Sequence, residues 1–572
     1  MNQKLATILT AMLLPAATVV AQTGKPPSPP PATTGPAASQ SAPQGLLEAP
    51  TGLPSPKAGL RGGTYEDWAK WYYKVYKIPK ARAIRLGGNR VRPNKMMPMV
   101  LEIVGEEGND YLVRNLPPED PQAAAHGEWI FNEKQEIGEV GKEQYLKGKY
   151  LIVNNVTVPP PFIDKVRFEE RDKGLPKAGR WQISFDIADM NGDGRPDLVF
   201  GPARTATDRV PHIFAQLQDG SWAEAPATWP SKGVKFDYGT VRVADFDGDG
   251  NKDIAIACHF SKTYVLYGDG KGNFTRFVTI PESNPQMTSR ALTVADVNGD
   301  GRPDIATLAE VDINMSDASR LEHGLVNIAL NLPSGWKAVA ENSFPDQLMG
   351  DSLTTADLFG TGRPDLLLTE HAANGMDVIF RNLGDGTAWQ AIGSDRQPVY
   401  AYILATAAGK LDRFPQPDVV ECFEQHNPWV SEPATQACAI YRFHDAQGRP
   451  TSEPTPTVLF QEKSNECFYK AIAVGDIDGD GRDDIVVASN TGRVRVFLQG
   501  ADGQFYEQEH SGMDQPGTDI FDVHIADLYH DGKGEVIFAG SPTGTSGGGI
   551  WVYAPVPVGQ AGARRAGAKQ TP

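Results

Sequence analysis

The nonapeptide DIDGDGRDD, from Asp476 to Asp484, returns in close variants along the chain. The other full copies are DMNGDGRPD from Asp189 to Asp197, DFDGDGNKD from Asp245 to Asp253 and DVNGDGRPD from Asp296 to Asp304. In each copy, side chains that carry oxygen occupy positions 1, 3, 5 and 9, and glycine occupies positions 4 and 6. This spacing is typical of a short loop around a hard cation, because the carboxylates supply charge and the glycines adopt unusual backbone angles. The four loops predict calcium sites, since calcium accepts about six to eight oxygens at loose geometry whereas magnesium requires a tight octahedron.

The candidate calcium ligands are the residues at loop positions 1, 3, 5, 7 and 9: Asp189, Asn191, Asp193, Arg195, Asp197, Asp245, Asp247, Asp249, Asn251, Asp253, Asp296, Asn298, Asp300, Arg302, Asp304, Asp476, Asp478, Asp480, Arg482 and Asp484. An EF-hand loop would need a bidentate Glu at position 12. That position holds instead Phe200, Ile256, Thr307 and Val487, which excludes an EF-hand. A metal-free turn is the alternative, because Asn, Asp and Gly tolerate left-handed angles. Four fully occupied copies favour the metal, since clustered carboxylates repel one another without a cation.

Short apolar, largely β-branched runs flank the loops, so each loop is predicted to join two strands of a hairpin. Weaker copies are DLFGTGRPD (357–365), KLDRFPQPD (410–418) and DLYHDGKGE (527–535). We expect no calcium at the first two of these loops. At the third, a calcium-bound and a calcium-free loop are equally expected. The loop starts at 189, 245, 296, 357, 410, 476 and 527 are separated by 56, 51, 61, 53, 66 and 51 residues. Such a period indicates a repeat architecture, and each unit has room for about four strands, the content of one propeller blade.

The order strand, DxNGDGxxD, strand, strand, GDGxF resembles the VCBS/FG-GAP repeat family over roughly residues 160 to 557. That family forms calcium-binding β-propellers whose blades are related to those of integrin α-subunit heads. The resemblance implies an all-β fold with seven blades, calcium (Ca²⁺) in the intact loops and an extracellular setting. It fixes neither a ligand nor a reaction.

The chain divides into five predicted parts. Residues 1–21 have Lys4 near the start, an apolar run and a small-residue end, which is typical of a signal peptide; a short membrane anchor is the alternative. Residues 22–58 form a Pro-rich linker predicted to be disordered. Residues 59–160 are predicted to be a small α+β module, 161–557 the propeller and 558–572 a disordered tail.

Within the small module, Glu66 to Tyr76 has helical spacing, and its aromatic residues favour a packed helix face over a binding platform. Met99–Val104 and Asp110–Val113 predict a hairpin, and Trp129–Phe131 and Tyr150–Val153 predict further strands. In the propeller, the strand predicted over 162–170 has no blade of its own. We expect it to complete the last blade and so to close the ring.

The composition agrees with a protein secreted to the periplasm, the exterior or the cell surface. The formal net charge is −17, and no basic patch indicates nucleic-acid binding. No further segment indicates membrane insertion. The four cysteines make disulfides plausible; Cys422–Cys438 is the preferred pair, whereas Cys258 and Cys467 are predicted either to pair or to remain free thiols.

The sequence contains no zinc-protease, P-loop, nucleotide-binding or nucleophile-elbow motif. The long excursions 312–325, with Arg320, Glu322 and His323, and 421–437, with His426 and Trp429, are candidate ligand loops or merely variable surface. The leading hypothesis is a non-catalytic, calcium-stabilised binding or adhesion module for a glycan or a surface protein. The alternative is an extracellular carbohydrate-active enzyme, a lyase or hydrolase, built on a propeller.

Overall fold

The computed structural model describes residues 75–80, 83–87, 90–93, 101–115, 160–202, 209–259, 261–284, 287–312, 325–340, 343–344, 350–369, 379–392, 401–425, 434–544 and 547–558. The predicted signal peptide, linker and tail lie outside these ranges, apart from Val558. So do the strands predicted at 129–131 and 150–153, and the central parts of both candidate ligand loops.

A five-stranded sheet precedes the propeller in the chain. Its strands are β1 (Val75–Pro79), β2 (Ala83–Gly87), β3 (Arg90–Pro93), β4 (Leu101–Glu107) and β5 (Asp110–Asn115), in the order β1-β5-β4-β3-β2. The predicted hairpin of β4 and β5 is confirmed, although β4 runs on to Glu107 and leaves a turn of only two residues, 108–109.

The predicted helix at Glu66–Tyr76 is wrong at its end. Val75 and Tyr76 belong to β1, and residues 66–74 lie outside the described ranges. The run Val75-Tyr76-Lys77-Ile78 is rich in β-branched and aromatic residues, and it pairs antiparallel with β5 from Val75↔Arg114 to Pro79↔Asp110. Pairing with a neighbouring strand outweighed the local helical spacing.

Seven further sheets form the blades of a β-propeller, and each starts with the strand that leads into one of the repeated loops. The strands of blades 1 to 3 are β8 (Phe185–Ala188), β9 (Asp197–Phe200), β10 (His212–Gln216), β11 (Trp222–Glu224); β12 (Val241–Ala244), β13 (Asp253–Ala257), β14 (Thr263–Tyr267), β15 (Arg276–Thr279); and β16 (Met287–Ala295), β17 (Asp304–Asp312), β18 (Val326–Leu332), β19 (Gly335–Val339).

Blades 4 to 7 follow the same antiparallel order. Their strands are β20 (Leu353–Ala356), β21 (Asp365–Leu368), β22 (Ile379–Asn382), β23 (Trp389–Ala391); β24 (Ala401–Gly409), β25 (Asp418–Gln425), β26 (Thr435–His444), β27 (Pro450–Lys463); β28 (Tyr469–Gly475), β29 (Asp484–Ser489), β30 (Val494–Gln499), β31 (Phe505–Gln508); and β32 (Thr518–Ala526), β33 (Glu535–Pro542), β34 (Gly549–Pro557). The prediction of an all-β, seven-bladed propeller is confirmed.

The ring is closed by the segment that precedes blade 1. Strand β7 (Val166–Glu170) pairs antiparallel with β34 as the fourth strand of blade 7, which confirms the predicted closure. The predicted 162–170 strand is nevertheless two strands, because β6 (Phe162–Ile163) pairs in parallel with β31 of blade 6. The first residues of the propeller therefore join two blades formed by its last residues.

Hydrophobic cores lie between neighbouring blades. The core between the last and the first blade includes Phe185 and Leu198 of blade 1 with Ile537 and Val552 of blade 7, all buried. The strands that begin with the buried position 9 are apolar on both faces, since β9, β13, β21 and β29 are buried at every residue. A strand packed between two blades has no solvent face, which explains these continuous apolar runs.

Polar contacts join the first strands of adjacent blades. Arg290 Nε donates to Asp351 Oδ1 at 2.7 Å between blades 3 and 4, and Lys470 Nζ lies 2.6 Å from Asp519 Oδ1 between blades 6 and 7. Blade 1 contacts blade 7 through Phe185, whose backbone N–H donates to Asp522 Oδ2 at 3.2 Å. Charged side chains thus supplement the apolar faces that hold the blades together.

The preferred disulfide is confirmed. Cys422 of β25 and Cys438 of β26 face each other in the strand register and are bonded. Cys258 and Cys467 are free thiols, and Cys258 is fully buried. Among the described residues, no helix is long and apolar enough to span a membrane.

Ring closure predicts the effect of changing Val166, which is 4 % exposed and packs in the core between blades 6 and 7. Val166→Asp places an unpaired charge in that core and should lower the free energy of unfolding by at least about 2 kcal/mol. The exposed Glu170 of the same strand supplies the control Glu170→Gln, expected to change stability by less than about 0.5 kcal/mol. Urea denaturation measures both, and an equal effect of the two substitutions would contradict closure by this strand.

Candidate metal centres

Each loop lies between the first two strands of its blade, and strand pairing fixes both of its ends. The residue before position 1 pairs with the residue at position 9: Ala188↔Asp197, Ala244↔Asp253, Ala295↔Asp304 and Gly475↔Asp484. Position 9 is therefore the first residue of the second strand. The hairpin brings the first and last acidic residues of the loop together.

The carboxylate at position 1 organises the turn. In blade 2, Asp245 Oδ1 accepts from the backbone N–H of Gly248 at 2.7 Å and of Asp249 at 3.1 Å, and Oδ2 accepts from Gly250 at 2.9 Å. Gly248 and Gly250 have φ values of 76° and 89°, which residues with a Cβ rarely adopt. The two glycines therefore turn successive N–H groups toward one carboxylate.

The carboxylate at position 9 is buried beneath the loop. Asp253 Oδ2 accepts from the backbone N–H of Phe246 at 2.8 Å, and Oδ1 accepts from Gly268 of the third strand's end at 2.8 Å. The same bond from the N–H of position 2 is made in blades 1, 3, 4, 6 and 7 by Asp197, Asp304, Asp365, Asp484 and Glu535. The carboxylate thus joins the loop to its hairpin.

Burial raises the pKa of these carboxyl groups because it disfavours the charged form. The pKa is raised to about 6 for Asp197, Asp253, Asp304 and Asp365, and to about 8 for Asp484. The acidic neighbours in the loop raise the pKa values of Asp253 and Asp484 further. A bound cation would reverse both effects, since it stabilises the ionised form.

Blade 2 fits a hard cation well. One carboxylate oxygen each from Asp245, Asp247 and Asp253 lies within 4.8 Å of the others. Asp476, Asp478 and Asp484 converge in the same way in blade 6. These donors are all oxygen, the ligand type that calcium prefers.

Blades 1 and 3 carry Asn191 and Asn298 at position 3, and the side-chain oxygen of each accepts from the backbone N–H of position 5, at 2.9 and 2.8 Å. At position 7, Arg195, Arg302 and Arg482 donate Nε to a third-strand carbonyl: Gln216 O, Asn331 O and Gln499 O. The guanidinium groups of Arg195 and Arg482 also pair with position 5, Asp193 and Asp480. These side chains cover the loops and are not ligands themselves.

An ammonium group lies against the acidic loop of blade 6. Lys165, next to the ring-closing strand, pairs through Nζ with Asp478 and lies 3.0 Å from Asp480 Oδ2. The side chain of Asp478 is 4 % exposed, and its oxygens have no hydrogen bond to any described residue apart from this ion pair. Lys165 partly satisfies the charge that a calcium ion would otherwise satisfy. Sequence reasoning missed it because the lysine is separated from the loop by more than three hundred residues.

The loop of blade 4 keeps its shape without the ligands. Asp357 accepts from the backbone N–H of Thr361 at 2.8 Å and of Gly362 at 2.7 Å, as in the intact loops. Phe359, at the position of a ligand, is 8 % exposed and packs beneath the guanidinium of Arg381, 4.5 Å from the ring centre. Packing and hydrogen bonds therefore hold this degenerate loop in the shape of the intact ones.

Side-chain amides connect successive loops around the ring. Asn331 of blade 3 donates Nδ2 to the carbonyl of Phe246 in the blade 2 loop at 2.7 Å, while its N–H donates to Asp304 at 2.7 Å. Asn382 of blade 4 donates likewise to Val297 O of the blade 3 loop at 2.7 Å. The loops of blades 2 and 3 are therefore held by the following blade as well as by their own hairpins.

The Asp365 carboxyl predicts that the free energy of unfolding depends on pH through blade 4, which lacks the full set of calcium ligands. Its pKa is raised from 3.8 to about 6, so it binds a proton more tightly in the folded state. Its contribution to stability is full below pH 3.8 and is lost as the pH rises through about 6. Between pH 4 and 8 the wild type should lose up to about 3 kcal/mol relative to Asp365→Asn, which has no group to titrate.

Denaturation of both proteins across this range, with chelator present, measures the difference. The control is Asp385→Asn in the same blade. Hydrogen bonds from Thr387 lower the pKa of Asp385, so the titration of this carboxyl does not remove stability as the pH rises. A difference between wild type and Asp365→Asn that stays constant with pH would contradict the assignment.

The position of Lys165 predicts a competition with calcium. Lys165→Met removes the ammonium from Asp478 and Asp480, and calcium affinity at the blade 6 loop should rise at least about tenfold, which corresponds to about 1.4 kcal/mol. Lys173→Met is the control, because that side chain is 85 % exposed. Calorimetric titration with calcium measures the change, and an unaltered or weaker affinity of Lys165→Met would refute the competition.

Comparison with known proteins gives a family match and a weak structural likeness. A family model described as FG-GAP-like repeat matches residues 189–256, 245–307 and 476–538. No curated protein matches the sequence. Solved structures with a similar chain course include BBS1N in complex with ARL6DN, soaked with lead, at 10 % identity and TM-score 0.41, covering 68 % of this chain and 97 % of that one.

A second structure of that complex, soaked with mercury, has TM-score 0.40 at 10 % identity and covers 68 % of this chain and 96 % of the other. The Neurospora crassa Pan2 WD40 domain has TM-score 0.38 at 10 % identity and covers 69 % of this chain and 97 % of that one. The matched segments contain all four intact loops, and the sheets that follow these loops are blades of one ring. The chain is a seven-bladed β-propeller, and three segments of it match the FG-GAP-like repeat.

Proposed function

We propose that the protein is a calcium-stabilised scaffold that binds a partner outside the cytoplasm and has no catalytic activity of its own. The convergence of the Asp245, Asp247 and Asp253 oxygens carries the proposal, because three carboxylates within 4.8 Å of one another repel and a bound cation would remove that repulsion. The FG-GAP-like propeller fold supports a binding or scaffold role in general.

The proposed ligands are oxygens of the residues at positions 1, 3, 5, 7 and 9 of the loops in blades 1, 2, 3 and 6, with the backbone carbonyl as the ligand where position 7 is Arg195, Arg302 or Arg482. Calcium would neutralise the loop carboxylates and hold the first hairpin of each of these blades. Because only the folded chain brings these oxygens together, calcium binding would add directly to the free energy of unfolding.

The location outside the cytoplasm rests on two observations. The Cys422–Cys438 disulfide is of the kind that persists in oxidising compartments. FG-GAP-like repeats are typical of extracellular proteins. Calcium in such compartments would be sufficient for loops of moderate affinity, since extracellular calcium modules bind at about 10⁻⁴ to 10⁻³ M.

The proposed partner is a glycan or a surface protein. A propeller presents loops from several blades on each face, so a partner can contact many blades while the strands stay rigid. Bound calcium would hold the acidic loops in place and so keep the shape of the surface that the partner contacts.

Calcium dependence predicts the outcome of thermal and chemical unfolding. At a calcium concentration about 100-fold above Kd, each filled site should add about 2.7 kcal/mol to the free energy of unfolding relative to chelator. Asp247→Ala should abolish the contribution of the blade 2 site. The control Asp269→Ala changes an exposed aspartate of the same blade whose carboxylate accepts hydrogen bonds within its own turn. Equal unfolding curves with calcium and with chelator would refute the proposal.

Partner binding is tested by a glycan array and by binding to surface-protein extracts, each run with calcium and with chelator. We expect calcium-dependent binding that Asp247→Ala weakens and Asp269→Ala preserves. Assays for polysaccharide cleavage run beside them, and calcium-dependent turnover would overturn the non-catalytic assignment in favour of an extracellular carbohydrate-active enzyme.

A further inference from the structure

Blade 5 contains a third cluster of ligand-type side chains, and its donors differ from those of the acidic loops. Asp412 and Asp418 come from the degenerate loop, and His444 is the last residue of β26. One donor atom of each lies within 4.8 Å of the others. The imidazole has no counterpart in the intact loops.

The imidazole is oriented with its free nitrogen toward the carboxylates. Nδ1 of His444 lies 3.1 Å from the backbone oxygen of Asp445, and because a carbonyl only accepts, Nδ1 carries the proton. Nε2 lies 3.0 Å from Asp412 Oδ2 and 3.3 Å from Asp418 Oδ1. The side chain is 2 % exposed, and Nε2 makes no hydrogen bond to any described residue. A backbone carbonyl on one ring nitrogen is the usual outer partner of a metal-bound histidine.

Asp418 departs from the other blades. Its counterparts accept a hydrogen bond from the backbone N–H of position 2, but both oxygens of Asp418 lack a hydrogen bond within the described chain, although its side chain is fully buried. The N–H of Leu411, at position 2, donates instead to Gly409 O. A buried carboxylate without hydrogen bonds is costly unless a cation accompanies it.

From this geometry we propose that Asp412, Asp418 and His444 bind a divalent transition-metal ion of the zinc class. Ligands about 2.0 Å from a tetrahedral zinc ion lie about 3.3 Å from one another, which agrees with the separations of Nε2 from the two carboxylate oxygens. Zinc accepts both imidazole and carboxylate, whereas calcium takes oxygen ligands. Asp412 is 18 % exposed, so the cluster is in contact with solvent through this side chain.

Arg442 is the remaining charged group at the cluster. Its Nε lies 3.5 Å from Asp412 Oδ2 and 3.8 Å from Asp418 Oδ2. Its Nη1 donates a hydrogen bond to Thr457 Oγ1 at 2.7 Å. Arg442 and His444 share one face of β26 because they are two residues apart. The guanidinium offsets one carboxylate charge, which disfavours an ion held mainly by charge, such as calcium, more than one held by an imidazole.

The site would pin the loop of blade 5 to its third strand, in the way that calcium is proposed to pin the loops of blades 1, 2, 3 and 6. Asp412 belongs to the loop, Asp418 begins β25 and His444 ends β26. One ion would therefore join the loop and the two central strands of this blade, which lacks the ligand set for calcium.

The test is a zinc titration of the full-length protein kept saturated with calcium, so that the acidic loops are occupied throughout. Calorimetry should detect a zinc site that His444→Gln weakens at least about 100-fold. His212→Gln is the matched control, because that histidine also faces a carboxylate, Glu224 at 2.7 Å, but belongs to β10 of blade 1 and not to the blade 5 cluster. X-ray absorption at the zinc edge should show one imidazole nitrogen and oxygens at about 2.0 Å.

Asp412→Asn provides a second variant at a partly exposed position, should His444→Gln fold poorly, and it should also weaken zinc binding. Equal zinc affinity in wild type and both cluster variants would overturn the proposal. A wild type that binds no zinc would overturn it as well.

Discussion

The buried carboxylate at the start of the second strand is the constraint on which the propeller depends. In six blades it accepts a hydrogen bond from the backbone N–H of loop position 2, and in five of these it also accepts one from the third strand. One side chain therefore fixes a loop and two strand connections at once. Because burial disfavours its charge, the same side chain creates a demand for a cation, which the acidic loop above it is suited to hold.

This local unit becomes a ring through contacts between blades. Apolar strand faces form the cores between neighbouring sheets, and the amides of Asn331 and Asn382 join blades 3 and 4 to the loops of blades 2 and 3. Repeat proteins are stabilised mainly by such nearest-neighbour interfaces. Strand β7 covers the edge of β34 and gives blade 7 its fourth strand, so the start of the propeller is fastened to its last blade.

Most of this architecture follows from the sequence because the loop motif fixes both its own shape and the strands beside it. The period of the motif predicted seven blades, and the lone strand near Val166 predicted closure. The strand at Val75–Pro79 was not predicted, because helical spacing is a local signal and the pairing with β5 is not. The Cys422–Cys438 bond was predictable since both cysteines flank a single hairpin.

The contacts that alter individual sites were beyond sequence reasoning for the same physical reason. Lys165 reaches the blade 6 loop only because the chain ends meet, and His444 reaches Asp418 only because β25 and β26 pair. Neither side chain lies within a motif. The loops of blades 4 and 5 both lack the full ligand set, yet one is held by the packing of Phe359 and the other gathers an imidazole and two carboxylates.

The central claim is that cations occupy the acidic corners of blades 1, 2, 3 and 6. The most direct measurement is an anomalous-difference electron density map from a crystal of the protein grown in calcium. The account predicts a peak among the oxygens of each of these four loops and none at the Asp357 loop of blade 4. Four loops without peaks, or a peak of equal height at Asp357, would contradict it.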